Sequence, residues 1–244
     1  MVKKEHIIIS ILVILILIFG MLIINETLLK GDAKTNESSK VTREVLSNST
    51  DEPGTVEVIK NIGNPNGKRI AYVVGVHPLE YQTHQTLVRM LPEMDNLTNC
   101  YDIYIINVTE DVGHYGDGSS DNSQGRQNGQ NLAYRYVYPE ILNGNYELAV
   151  DVHSNVGAYP YRTFVFSPVK EHTSAEYARN VADSCENISY YAPDSTTSGP
   201  FLTIPLNEHG IPAFYFEEYS FAPQDDKDKH MMELIFAVDK LKFI

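Results

Sequence analysis

The chain is poor in cysteine. Its two cysteines, Cys100 and Cys185, lie far apart and form no Cys-x-x-Cys pair, so a cysteine-held metal site is excluded and at most one disulfide can form. The sequence leaves open whether the two pair. Basic runs are also missing: none exceeds two residues, and the net charge is −13, which excludes nucleic acid as a partner. No repeat recurs at a solenoid period, and no Gly-x-Ser-x-Gly elbow is present, which weighs against a serine hydrolase.

What is present begins with an apolar run. Residues 1–6 carry Lys3 and Lys4, and residues 7–24 follow without a charge. At about 1.5 Å per residue a helix of that length spans roughly 27 Å, enough for a hydrocarbon core. It exceeds a usual signal-peptide apolar region, and no Ala-x-Ala-like cleavage site follows it. The segment therefore reads as an uncleaved transmembrane signal anchor, with a removed signal peptide as the alternative. Lysines before the span put residues 1–6 in the cytoplasm and the rest of the chain outside. Asn-x-Ser/Thr sequons at Asn25, Asn36, Asn48, Asn96, Asn107 and Asn187 fit an outside location and make the chain a glycoprotein candidate.

Residues 25–57 are rich in Ser, Thr, Asn, Asp, Glu and Lys, a composition that buries too little surface to offset ordering entropy; a flexible polar tether is expected. Residues 58–244 then suit one domain with a sizeable core. Within it, residues 70–76, 101–108, 146–154, 161–168 and 211–219 read as strands, most of them in the style of strands buried on both faces. Residues 81–94, 131–142, 174–185 and 228–241 read as helices, and 109–130 as a long loop rich in Gly, Asp, Asn and Ser. Alternating strands and helices predict an α/β fold of three layers, α/β/α, around a mainly parallel mixed sheet.

The first strand ends in Gly75-Val76-His77-Pro78-Leu79-Glu80. Open α/β sheets place ligands beyond the carboxyl ends of their strands, and a histidine and glutamate at this spacing can both reach one divalent ion such as zinc. A third candidate ligand, His153, closes the strand ending Val150-Asp151-Val152-His153. Asp151 shares a face with His153 by the period of two, and can accept the imidazole proton behind the metal. A late strand, Ile211–Tyr219, ends in Glu217 and Glu218. A carboxylate closing an apolar strand is costly unless paired, exposed or working. Consecutive residues point to opposite faces, so one of the two can serve as a general base and the other is expected to be a solvated surface charge.

Together these residues resemble the zinc carboxypeptidase superfamily, particularly its aspartoacylase/succinylglutamate desuccinylase-like branch, over most of residues 58–218. That family carries Gly-x-His-x-x-Glu after a core strand, a distal Asp-x-His, and a catalytic Glu about five residues past a proline. The last feature matches Pro212 with Glu217 and selects it over Glu218. The resemblance implies one zinc held by His77, Glu80 and His153, water activated by zinc, Glu217 as general base, and hydrolysis of an amide bond next to a carboxylate-bearing group. A peptide (carboxypeptidase type) or an N-acyl amino acid (deacylase type) would be the substrate. The chain departs from the family in lacking an Asn-Arg pair. Arg126 is the only arginine of the loop in question and takes the expected role of anion clamp, with Arg135 and Arg162 as neighbours in sequence. The missing pair also keeps a second reading in play, a catalytically inactive binding module on the same fold. His84, His114, His172, His209 and His230 are expected not to be ligands, and Tyr191, Tyr215 and Tyr219 are candidates for the pocket wall.

Overall fold

The computed structural model describes residues 40–47, 50–114 and 123–243. The expected anchor, 7–24, residues 1–6 and the first part of the tether, 25–39, lie outside the described residues. Among the described residues no helix is long and apolar enough to cross a membrane.

The later part of the expected tether is not a tether. It holds β1 (Thr42–Ser47) and the first half of β2 (Gly54–Gly63). In β2 Val56 and Val58 are buried while Thr55, Glu57 and Ile59 between them are only half-buried. Such alternation fits a strand with one face on a core. β1 pairs only with β2, and most of its side chains remain exposed. Its ladder comes from backbone groups, which composition does not report.

The chain continues through β3 (Arg69–Val74), α1 (Tyr81–Met90), β4 (Cys100–Val108) and α2 (Ser123–Leu132). A π-helical turn at Ala133–Val137 joins α2 to α3 (Tyr138–Asn143). Then come β5 (Leu148–Asn155), β6 (Phe164–Phe166), α4 (Thr173–Asp183) and β7 (Ser189–Tyr190). α5 (Thr203–Glu208), β8 (Ala213–Tyr219) and α6 (Gln224–Asp239) complete it. Part of the stretch expected as a loop, 123–130, is thus helical. Cys100 and Cys185 are both free.

The strands form one mixed sheet in the order β1-β2-β4-β3-β5-β8-β6-β7. Its centre, β4-β3-β5-β8, is parallel; β2 and β6 flank that centre in antiparallel pairing. Alternate residues of the central strands feed two cores. Tyr72, Val74, Val150, Val152, Phe214 and Phe216 pack with α1, α4 and α6 on one face. Ala71, Val73, Ala149 and Ala213 pack with the α2–α3 segment and α5 on the other. Small alanines at these positions let helices ride close to the sheet, and every residue of β5 is buried.

Two glycines set the approach to the strand ends. Gly75 follows β3 at φ +90°, where a Cβ would lie 1.8 Å from the Ile106 carbonyl oxygen. Only glycine tolerates that backbone and that contact, and the resulting bend releases His77 beyond the sheet. Gly129 of α2 lets the helix cross the Val76 carbonyl, which a Cβ would meet at 2.1 Å.

Candidate active site

His77 leaves the sheet in extended backbone, and a short 3-10 turn, Pro78–Glu80, brings Glu80 back beneath it. The turn is closed by the Glu80 amide donating to the His77 carbonyl at 3.1 Å. β5 lies beside β3 in parallel register and delivers His153 from one residue past the mid-strand. His77, Glu80 and His153 are 4%, 7% and 2% exposed, a depth that is costly for three polar groups unless something joins them.

They converge. His77 Nδ1 is 3.0 Å from Glu80 Oε1, His153 Nδ1 is 2.9 Å from Glu80 Oε2, and the two Nδ1 atoms are 3.0 Å apart. Two imidazole lone pairs cannot face each other at that distance without a proton or a cation between them. Ligand atoms around a tetrahedral zinc lie about 3.3 Å apart, as follows from metal–nitrogen bonds of about 2.0–2.1 Å. The triangle is close to that size, and the donor set of two imidazoles and one carboxylate suits zinc, so the residues fit the ion that the sequence resemblance implies.

The surroundings hold the three in place. Glu80 Oε2 accepts the Ser154 backbone N–H at 2.9 Å, and His84 Nε2 lies 4.0 Å from the same oxygen. His153 turns its other nitrogen, Nε2, to Asp151 Oδ1 at 3.1 Å, close enough for attraction though not aligned as a hydrogen bond. Behind His77, the Gln130 amide sits 3.2 Å from Nε2. An imidazole whose Nδ1 binds a metal carries its proton on Nε2, and the amide turned to present its carbonyl oxygen accepts it.

β8 pairs with β5 so that Glu217 stands opposite His153. Glu217 Oε2 is buried without a hydrogen-bond partner among the described residues. Arg126, on α2, reaches Glu80 Oε1 with Nη1 at 3.4 Å and Thr197 Oγ1 with Nη2 at 3.0 Å. These groups line one cavity of about 300 Å³, with Tyr159 and Ser195–Ser198 on its outer wall. Tyr215 backs it, its hydroxyl accepting from Thr203 Oγ1 at 2.8 Å and its ring 5.4 Å from that of His153.

The electrostatics follow from burial and proximity in the metal-free protein. Burial alone would push the Glu80 carboxyl up, but His77 and His153 outweigh it and hold the group well below its ordinary range. His153 is raised well above its ordinary value because Asp151 and Glu80 overcome the burial that opposes its charge. His77 is lowered, chiefly by burial. Burial, reinforced by Glu80 and Asp151, pushes Glu217 up to about 8, against the pull of His153 and Arg126. Burial also takes His84 down to about 4, so it stays neutral at physiological pH.

The structure thus brings His77, Glu80, His153, Glu217 and Arg126 to one cavity from four separate stretches of chain, with Asp151 beside His153. Arg135 instead pairs with Glu52, and Arg162 stacks over the Tyr219 ring at 4.6 Å. Of the candidate tyrosines Tyr215 lines the cavity, along with Tyr159, which the sequence did not suggest. The expectation that the second glutamate is a solvated charge is wrong: Glu218 is 1% exposed and fully hydrogen-bonded. Gln130 was also not indicated, because its contact to His77 joins residues 53 apart in sequence. His84, expected not to be a ligand, lies beside Glu80 at the i,i+4 spacing of a helix.

No family model matches the chain, and no curated protein matches it. Solved structures do. The tripeptide-bound cell shape determinant Csd4 of Helicobacter pylori aligns with 75% of this chain and 54% of its own, at 13% identity and a TM-score of 0.50. A metallo-carboxypeptidase of Burkholderia cenocepacia aligns with 83% of this chain and 65% of its own, at 11% identity and a TM-score of 0.53. The chain spans about half to two thirds of the length of these proteins. The likeness is one of fold: a mixed α/β architecture of the metallo-carboxypeptidase kind.

Proposed function

We propose that this protein is a zinc-dependent hydrolase of amide bonds in peptide or N-acyl amino acid substrates, held on the outer side of a membrane by residues 7–24. One observation carries it: two imidazole nitrogens and a carboxylate converge on the cavity that also receives the unpartnered Glu217 Oε2. His77, Glu80 and His153 would hold one zinc, with Asp151 and Gln130 fixing the imidazoles from behind. Zinc, when bound, lowers the pKa of water from 15.7 towards about 7 and polarises a carbonyl.

Glu217 accepts the proton of the attacking water as its oxygen bonds to the carbonyl carbon, and passes it to the amine nitrogen as the carbon–nitrogen bond breaks. Arg126 is placed to donate to the carbonyl oxygen as charge builds there, or to a substrate carboxylate. The fold shared with solved metallo-carboxypeptidases, and the tripeptide bound to Csd4, support a hydrolase of peptides.

A second reading, a binding module without turnover, is favoured by the engagement of Arg126. It is the one arginine or lysine lining the cavity among the described residues, and Glu80 and Thr197 already occupy it. Zinc analysis of the full chain, purified from membranes, paired with an amidase screen of peptides and N-acyl amino acids separates the two. One zinc per chain with turnover is expected. Zinc without turnover on any substrate class supports the binding module, and absence of stoichiometric zinc from zinc-replete protein defeats the hydrolase and leaves a binding module that has lost its metal. Deleting residues 1–24 should release the protein from the membrane with its rate unchanged.

A further inference from the structure

β8 ends in two glutamates with the same side-chain chemistry, yet the fold treats them in opposite ways. Glu217 faces the cavity with an unpartnered oxygen. Glu218 faces the other side, where Oε1 accepts the Tyr219 N–H at 2.7 Å and the Thr163 hydroxyl at 3.0 Å. Its Oε2 lies 2.8 Å from His230 Nδ1. Thr163 directly precedes β6, which pairs with β8 so that Phe164 stands opposite Glu217; His230 belongs to α6. One carboxylate therefore ties together two strands and a helix.

The backbone just beyond is fastened as well. The Ser220 N–H donates to the Asn155 carbonyl at 2.8 Å. Asn155 Nδ2 donates to the Arg162 carbonyl at 2.8 Å. Lys227 Nζ donates to the Ser220 and Ala222 carbonyls at 2.9 and 2.6 Å. These bonds fasten the backbone that directly follows Glu217 and Glu218.

A slip of one residue turns each side chain of a strand to the opposite face. Phe214 and Phe216 resist such a slip in mid-strand, but at the last turn of the pleat the two glutamates are chemically equal. A buried carboxylate is tolerated only where donors meet it. Donors for it lie on the Glu218 side. We propose that Glu218, through Thr163 and His230, is a positioning residue for Glu217: seating one carboxylate among its donors aims the other into the cavity. The inference rests on the reading of Glu217 as general base. Catalytic geometry is held to within about 0.5 Å by supporting contacts of this kind, and a misplacement of about 1 Å can cost 10²-fold in rate.

Thr163→Val keeps the shape and removes the donor, and Thr163→Ser restores it. In the full chain Thr163→Val should lower kcat about 10-fold with KM within about 3-fold and zinc content unchanged, and Thr163→Ser should return kcat to within about 2-fold. A merely structural role would lower the melting temperature but leave kcat per zinc-loaded molecule as in the wild type. That result, in both Thr163→Val and Glu218→Gln, overturns the proposal. Crystal structures of wild type and Thr163→Val need no substrate: the Glu217 carboxylate should be displaced by about 1 Å, and an unmoved Glu217 overturns the proposal. Full turnover in Glu217→Gln would instead defeat the general-base reading, and this inference with it.

Discussion

The two faces of β5 and β8 differ in how their polar groups are met. On the cavity face, Asp151 Oδ1 and Oδ2, His153 Nε2 and Glu217 Oε2 are buried without aligned hydrogen bonds among the described residues. On the opposite face Glu218 has three donors and the Ser154 and Ser220 hydroxyls meet at 3.0 Å. Unpaired buried polar groups cost about 1–3 kcal/mol each, so a fold keeps them only where something else uses them. The face that looks less well built is the one arranged for chemistry. The well-satisfied face is its support.

Breaking the cavity face should have the largest effects. His77→Ala or His153→Ala should lower zinc affinity by more than about 100-fold, since loss of an outer partner alone costs 10–100-fold, and bring the rate to assay background. Zinc content and circular dichroism, read together, should show loss of metal with the fold retained. Zinc that stays fully bound in both variants would place the ion elsewhere.

Glu217→Gln comes next, with kcat falling about 10²–10⁴-fold while zinc remains. It also sharpens the contrast in stability. In the metal-free protein the Glu217 carboxyl is raised to about 8 from an ordinary 4.5, so the native state binds the extra proton in that window. The contribution of Glu217 to stability is therefore lost as pH rises from about 4.5 to about 8, while below about 6.5 the lowered His84 and His77 act in the opposite direction. The stability of metal-free wild type relative to Glu217→Gln, read by urea unfolding, should fall across that window.

The smallest effect belongs to the support face. The hydrogen bond that His230 donates to Glu218 raises the imidazole, with partial burial opposing. A histidine raised by folding contributes stability that is full below its unfolded value of about 6.5 and is lost as pH rises through the folded one. His230→Asn should remove that loss and leave the Glu217 window untouched. An unchanged slope above pH about 6.5 in this variant would mean that the pair does not titrate as a unit.

The parts legible in the sequence were those whose chemistry is local. β3, β5 and β8 are buried on both faces, so their apolar runs stand out, and the polar residues that end them mark the cavity directly. β1 and β2 were hidden because an exposed edge strand and a half-buried one retain the polar composition of a tether. α2 was partly hidden for a different reason. Its first residues, Ser123-Gln124-Gly125-Arg126-Gln127-Asn128-Gly129-Gln130, have almost no apolar surface, and the helix packs by close backbone approach at Gly125 and Gly129. Glu218 was misjudged because its burial depends on Thr163 and His230, which no spacing rule connects to it. Arg126 was placed correctly near the cavity, but its hold on Glu80 and Thr197 is a tertiary fact.

The wide separation of the site residues along the chain also bears on time. His77, Glu80, Arg126, His153 and Glu217 meet only after β3, β5 and β8 have lined up in parallel, and such non-local pairing is slow to form. A metal ion has no partial cage to occupy in a half-folded chain, where at most His77 and Glu80 are neighbours. Zinc held as proposed would therefore be a late arrival: it could not nucleate folding, and its grip would be felt as a slower opening of the finished molecule. On the proposed outer side of a membrane, where an unfolded copy is not rescued by cytoplasmic chaperones, the ion that serves the proposed reaction would also set the protein's lifetime.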